Sequence, residues 1–489
     1  MLFNSYIFLI FFIIVTPIYY FSPKKIRGYV LLFSSYIFYG YWDWRFCLLL
    51  GFTTLSDFYI SKMLDSNQET NKRKKLLYLS IGTNILILGF FKYFNFFIDT
   101  FDAIIKNFGL NLNFLHINVI LPVGISFYTF KSLAYVIDVY YKRAEPAKSI
   151  LDYAIFLSFF PQLVAGPIER AKNILPQIMM RSRPTFQQIQ SGFLLITIGM
   201  FKKVLIGDTC GRFVDHIFAR PEYYTSPELL SALVLFAIQV YADFSGYSQI
   251  AIGTAKFFGV DTMENFKQPY LSSSITEFWR RWHISLTTWL RDYLFLPMAY
   301  WFTRKLDALK LKPKYVHYGA YTLSMILTML VGGLWHGANF TFVVWGGLHG
   351  VFLAIHKIIM GKKKIYDHYI YRGFTDFLIF ILKVTGTFIL VLFTWLFFRS
   401  ESFNQAFFIV QNIINWQGSE FALRFFVITL TYLFLMVFID VMEYTFSNPI
   451  VLLKIKSAPF RFGVCLSIWL VVLLFMFQSK PMPFVYFQF

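Results

Sequence analysis

The chain has 489 residues, of which 57% are hydrophobic and only 15% charged, and its mean hydropathy is +0.56. That composition excludes an ordinary soluble globule and indicates a polytopic membrane protein. The formal net charge is +19, from 45 Lys+Arg against 26 Asp+Glu. The basic residues cluster in short stretches between apolar ones, so they read as topology signals of a cytoplasmic side and not as a nucleic-acid surface.

In chain order, residues 1 to 22 are apolar but lack a basic leader and a small-residue cleavage site. They are expected to form a first span, not a cleaved signal. Lys24, Lys25 and Arg27 then mark the inside. Residues 28 to 41 go out and 46 to 63 return, around the aromatic turn Tyr41-Trp42-Asp43-Trp44. Lys72, Arg73, Lys74 and Lys75 lie inside again; residues 76 to 98 go out, and 117 to 141 return to Lys142 and Arg143. The stretch 151 to 168 is short, ends in PQLVAGP and has basic residues on both sides. A re-entrant segment suits it better than a full span, because non-helical backbone at membrane depth is tolerated where protein buries it.

Further apolar stretches cover 191 to 208, 228 to 260, 315 to 334, 339 to 360, 373 to 398, 423 to 446 and 461 to 478. The expectation is an all-α fold of about 11 to 13 membrane segments, some re-entrant. It is read as one integral-membrane domain over 1 to 489 with no soluble domain. No internal repeat is visible, which argues against an inverted-repeat transporter. Cys47, Cys210 and Cys465 are too scattered for a disulfide framework or a metal motif.

Within this frame several polar residues stand out. Asp138 and Asp243 are acids inside apolar segments, and such residues face a cavity or pair internally. Asp243 has Tyr241, Ser245, Tyr247, Ser248 and Gln249 nearby, which suggests a polar lumen. The stretch 276 to 293, TEFWRRWHISLTTWLRDY, repeats Trp279, Trp282, His283, Leu286, Leu290 and Tyr293 at helical spacing. It reads as an interfacial amphipathic helix with a Glu277/Arg281 pair on it. Arg280, Arg281 and Arg291 would face phosphates, either of lipid headgroups or of a bound donor.

Residues 319 to 360 carry no acid, and His336 sits in their middle between Trp335 and Gly337. An ionisable group at membrane depth is costly and marks a functional site by default, and a neutral imidazole is the common general base near pH 7. Asn339, at i+3 on the same helical face, would orient the ring. Gly332, Gly333 and Gly337 would let a substrate or another helix approach closely. The plainer reading, a histidine bonded to a carbonyl for packing, stays open at this point. His349 lies 13 residues further on, nearly the opposite face of a continuous helix, so it would share a site with His336 only if the helix were broken. His116, His216, His317, His356 and His368 read as loop or interface residues. Asp243, His283 and His336 have no compact ligand spacing, so no metal is expected.

The segments LPVGISFYTFKSLAYVIDVY (121 to 140), FFPQLVAGPIER (159 to 170), YADFSGYSQIAIGTAKFFG (241 to 259), NFKQPYLSSSITEFWRRWHISLTTWLRDYLFLP (265 to 297) and GGLWHGANFTFVVWGGLHG (332 to 350) resemble the membrane-bound O-acyltransferase family. PFVYFQF (483 to 489) does so too. The resemblance is to the bacterial branch that acetylates alginate and peptidoglycan. It implies a helical bundle around a central funnel, with His336 as catalytic histidine and His283 as a second important one. Asp243, Trp335 and Ser245 would line the funnel. It also implies an acetyl donor, acetyl-CoA, with no bound cofactor, a separate periplasmic SGNH-type esterase or transferase as partner, and residence in the bacterial inner membrane.

Overall fold

The structure is a computed structural model that describes residues 1–109, 117, 119–164, 166–361, 373–478 and 480–487. Lys362, Lys363 and Lys364, together with His116 and His368, lie outside the described residues. The described chain is helical throughout, as the composition leads one to expect. Eight of its helices are long and apolar enough to cross a membrane: Thr70–Asn107, Phe186–Ala219, Ser226–Lys256, Pro313–His336, Phe340–Met360, Phe374–Arg399, Ala422–Phe446 and Ala458–Gln478. A shorter apolar helix covers Tyr6–Phe21.

The sequence reading counts more spans, and composition accounts for the difference. Lys24–Gly40 is 17 residues long and starts with two lysines, and Ile125–Tyr140 has 16 residues. Arg45–Ser66 reaches 22 residues but carries Arg45, Asp57, Lys62 and Asp65. The basic run Lys72–Lys75 is not a loop; it forms the first turns of the helix that begins at Thr70.

The chain divides into two compact units, residues 1–196 with 247–263, and residues 197–246 with 264–489. In the first, Asp57 is fully buried and accepts hydrogen bonds from Ser80, Asn84 and Ser132. Three donors replace the water that such a carboxylate loses. The stretch expected to be re-entrant is short and interrupted. Helix Ile150–Ser158 breaks at Phe159 and resumes for the single turn Phe160–Leu163, with every residue from Asp152 to Val164 buried. Gly124, at φ +77°, brings its backbone against this turn, where a Cβ would lie 2.6 Å from the Leu163 carbonyl oxygen.

The second unit holds Asp243, His283 and His336, while Asp138 lies in the first. Helix Ser226–Lys256, which runs through both units, has 83% of its apolar window buried, against 17% for Ala422–Phe446 and Ala458–Gln478. The last two turn faces such as Leu430, Phe434, Leu470 and Phe477 outward, as lipid-facing helices do. The first keeps its polar groups inside.

The stretch 276 to 293 is not one amphipathic helix. Helix Ile275–Arg281 stops, Trp282 is extended, His283 takes a left-handed φ of 42°, and Ile284–Leu290 starts anew. The cause is the preceding loop. Lys267 N–H donates to the Arg281 carbonyl at 3.0 Å and Ile284 N–H donates to the Asn265 carbonyl at 2.9 Å. These bonds replace the helical ones across the break. Ser274 caps the first helix by accepting from Glu277 N–H at 3.3 Å, and Glu277 reaches back to Ser273 N–H at 2.8 Å.

Candidate functional site: two buried histidines around Trp335 and Tyr486

Residues 319 to 360 are likewise broken. His336 is the last residue of helix Pro313–His336, Gly337 is extended, and Phe340–Met360 begins after it. Asn339 is therefore not on a helical face shared with His336. Its side-chain oxygen caps the second helix by accepting from Thr341 N–H at 3.0 Å, and its amide donates to the Glu401 carbonyl at 2.9 Å. The orienting role expected for Asn339 is corrected accordingly: the residue fixes the turn, not the ring.

The glycines serve this turn. A Cβ on Gly337 would lie 2.2 Å from the Phe342 ring, one on Gly333 2.2 Å from the Phe342 carbonyl oxygen, and one on Gly346 2.1 Å from the Met329 carbonyl oxygen. Of the two readings of the glycines, close approach of a helix is the one realised at Gly333 and Gly337.

The His336 ring is 3% exposed and enclosed by aromatic rings. Centroid distances are 4.8 Å to Trp335, 4.9 Å to Trp345, 5.3 Å to Phe398 and 5.2 Å to Tyr486. His283 approaches the same group from the break after Arg281. Its ring lies 6.1 Å from Trp335, 6.4 Å from Tyr486 and 4.6 Å from Phe244. The two histidines thus share Trp335 and Tyr486 as neighbours.

The surroundings assign the proton on His283. Asn265 Oδ1 accepts from Ser285 N–H at 3.1 Å and Ser285 Oγ at 2.9 Å, and it lies 3.2 Å from His283 Nδ1. A carboxamide oxygen only accepts, so Nδ1 carries the hydrogen and Nε2 is left with its lone pair. Burial pushes the pKa of His283 down to about 3, so the ring is neutral at physiological pH.

His349, which the broken helix brings within reach, is one ring away: Trp345 lies 4.9 Å from it and 4.9 Å from His336. Both its nitrogens are engaged, Nδ1 accepting from Trp279 Nε1–H at 3.2 Å and Nε2 paired with Thr394 Oγ1 at 2.9 Å. It fixes Trp279, in keeping with a packing role.

The acids and arginines separate into two groups. Asp243 and Ser245 are buried, at 2% exposure each. Asp243 pairs with Lys203 at 2.8 Å, and Lys203 pairs with Asp208 at 2.7 Å. Lys202 pairs with Glu443 at 2.8 Å. The π-helical stretch Phe201–Gly207 delivers these two consecutive lysines to separate acids. Arg281 is committed to Glu277 at 2.6 Å and lies over the Tyr444 ring. Arg280 and Arg291 are exposed, and Arg291 also pairs with Asp292 at 2.8 Å.

Residue-level sequence reading does not single out Lys203, Phe244, Asn265, Trp345 or Tyr486. The clue to Tyr486 is the segment PFVYFQF, and the clue to Phe244 is its place beside Asp243.

Two buried histidines converging on one aromatic cluster in a helical membrane protein mark a functional site at membrane depth, where a neutral imidazole can serve as a base. The model of "MBOAT, membrane-bound O-acyltransferase family" matches residues 141–398. A "Probable alginate O-acetylase AlgI" of Pseudomonas putida is 40% identical over 410 residues, 83% of this chain and 79% of that protein. A "Peptidoglycan O-acetyltransferase" of Helicobacter pylori is 31% identical over 414 residues, 79% and 74% of the two chains. A "Teichoic acid D-alanyltransferase" of Bacillus subtilis is 28% identical over 294 residues, 59% and 71%. The chain belongs to the membrane-bound O-acyltransferase family and is an O-acyltransferase. The family match takes in Asp243, His283 and His336 and stops short of Tyr486.

Proposed function

We propose that this enzyme moves an acetyl group from cytoplasmic acetyl-CoA across the bacterial inner membrane for O-acetylation of a cell-wall or extracellular polysaccharide. The observation that carries the reading is the convergence of His336 and His283 on Trp335 and Tyr486 within a family of O-acyltransferases. The names of the relatives from Pseudomonas putida and Helicobacter pylori support acetyl as the group and a polysaccharide as its destination.

In this reading His336 is the general base. It takes the proton from an acceptor hydroxyl as that oxygen attacks the thioester carbonyl. The C–S bond breaks, and coenzyme A leaves as thiolate to be protonated. The imidazolium that forms stands at the C-terminal, negative end of helix Pro313–His336. His283, with Nε2 unprotonated, supplies a second acceptor in the same aromatic enclosure. Asp243, Trp335 and Ser245 belong to the wall of a funnel leading to it. Arg280 and Arg291 hold the donor's phosphates on the cytoplasmic side. The acceptor hydroxyl belongs to a separate periplasmic protein of the SGNH-esterase type, which esterifies the polysaccharide.

The test is His336→Ala in cells. Acetyl content of the polysaccharide should fall to background, since a positioned base contributes about 10² to 10⁴-fold in rate, while the protein accumulates normally. Near-normal acetylation with His336→Ala would remove the base from His336.

A further inference from the structure

The segment from Phe484 to Tyr486 reaches the histidines from more than a hundred residues away in sequence, and a buried carboxylate bonds to its backbone. Val485 N–H donates to Asp243 Oδ2 at 2.9 Å. Phe484 is fully buried and lies 5.2 Å from Phe244, and Tyr486 lies 4.7 Å from the same ring. The other oxygen of Asp243 faces Lys203 Nζ at 2.8 Å. Lys203 is completely buried and shared with Asp208, so one ammonium meets two carboxylates. Asp243 Oδ2, which does not face Lys203, calls for a donor of its own, because a buried carboxylate oxygen is expensive to leave unmet. The Val485 amide is such a donor, and a bond to a charged group is stronger than one to a neutral acceptor. Gly207 permits the arrangement: a Cβ there would lie 3.0 Å from Asp243 N and 3.1 Å from its Cα. A side chain at 207 would push the π-helical stretch, and Lys203 with it, away from Asp243.

We propose that Asp243, held by Lys203, is a positioning residue that fastens the Phe484–Tyr486 segment against His336 and so completes the active site. This rests on His336 as the reacting base. Asp243 touches no reacting atom; it acts through the Val485 amide and places the Tyr486 ring 5.2 Å from His336 and 6.4 Å from His283.

The test combines hydrogen exchange with acetyl transfer on the purified full chain. Val485→Pro removes the donor and leaves the Lys203–Asp243 pair untouched. Asp243→Leu removes the acceptor, and Asp243→Asn keeps an acceptor oxygen without the charge. In Val485→Pro and Asp243→Leu, exchange of the peptide around Phe484–Tyr486 should quicken about tenfold or more and transfer should fall about tenfold or more, in line with loss of a charge-assisted bond. Peptides from Pro313–His336 should exchange as before. Asp243→Asn should fall between these variants and the parent on both readouts.

Unchanged exchange around Phe484–Tyr486 in both Val485→Pro and Asp243→Leu would overturn the proposal. So would quickened exchange with undiminished transfer. If Asp243→Leu does not accumulate, the same two readouts on Val485→Pro alone support or overturn it. His336→Ala keeps the two readings apart. It should leave exchange of this peptide unchanged, and transfer surviving in it would refute the base assignment without touching the anchoring.

Discussion

At the residue scale, the site depends on which atoms hold the rings. Asn265 illustrates this: one oxygen serves Ser285 twice and faces His283 Nδ1. Asn265→Ala should leave these buried donors unmet, at a cost of about 1–3 kcal/mol. Thermal unfolding in detergent should register the loss, and acetyl transfer should fall with it because His283 loses its fixed tautomer. A variant as stable and active as the parent would contradict this network. His283 is conspicuous in the sequence as a histidine among tryptophans, but Asn265 is not. It sits 18 residues upstream in a loop, and no helical or strand period links the two. Asn339 shows the opposite failure. An i+3 spacing suggests a partner for His336 only while the helix is continuous, and the turn at Gly337 turns Asn339 into a cap.

At the element scale, both candidate histidines mark helix ends that hydrophobic periodicity does not reveal. The apolar pattern runs straight through 319 to 360, since lipid or protein can surround helix and turn alike. What breaks it is the close glycine packing of Pro313–His336 on Phe340–Met360. Gly333→Ala or Gly346→Ala would force a Cβ to 2.2 or 2.1 Å from a backbone oxygen that cannot move alone. Either should lower the folded yield and thermal midpoint markedly. Gly386→Ala, with nothing within 4 Å of its Cβ, should be neutral or slightly stabilising. Fluorescence-detected size exclusion after heating compares the three. Equal behaviour would mean that the glycine contacts do not hold the hairpin. The break at Trp282–His283 escapes the sequence for a similar reason, because its cause is the backbone pairing of 265–267 with residues 281 and 284.

At the scale of the whole molecule, the membrane class and the helical fold are legible from composition alone, because so apolar a chain has few other solutions. The number of spans is less so: Arg45–Ser66 is long enough but carries four charges, and it falls between the categories that hydropathy separates. The basic run Lys72–Lys75 carries the topology prediction. A single cysteine placed there in a cysteine-free background should resist an impermeant thiol reagent added outside cells, and ready labelling would reverse the orientation.

The central claim, acetyl passage from an inside donor to an outside acceptor through His336, has a direct measurement. The purified protein is placed in liposomes with labelled acetyl-CoA on one face and, on the other, an SGNH-type protein in the role of the proposed partner. Label should appear on the partner only when both proteins are present, and it should vanish with His336→Ala. Labelling that persists in His336→Ala, or intact acetyl-CoA crossing without transfer, would contradict the account.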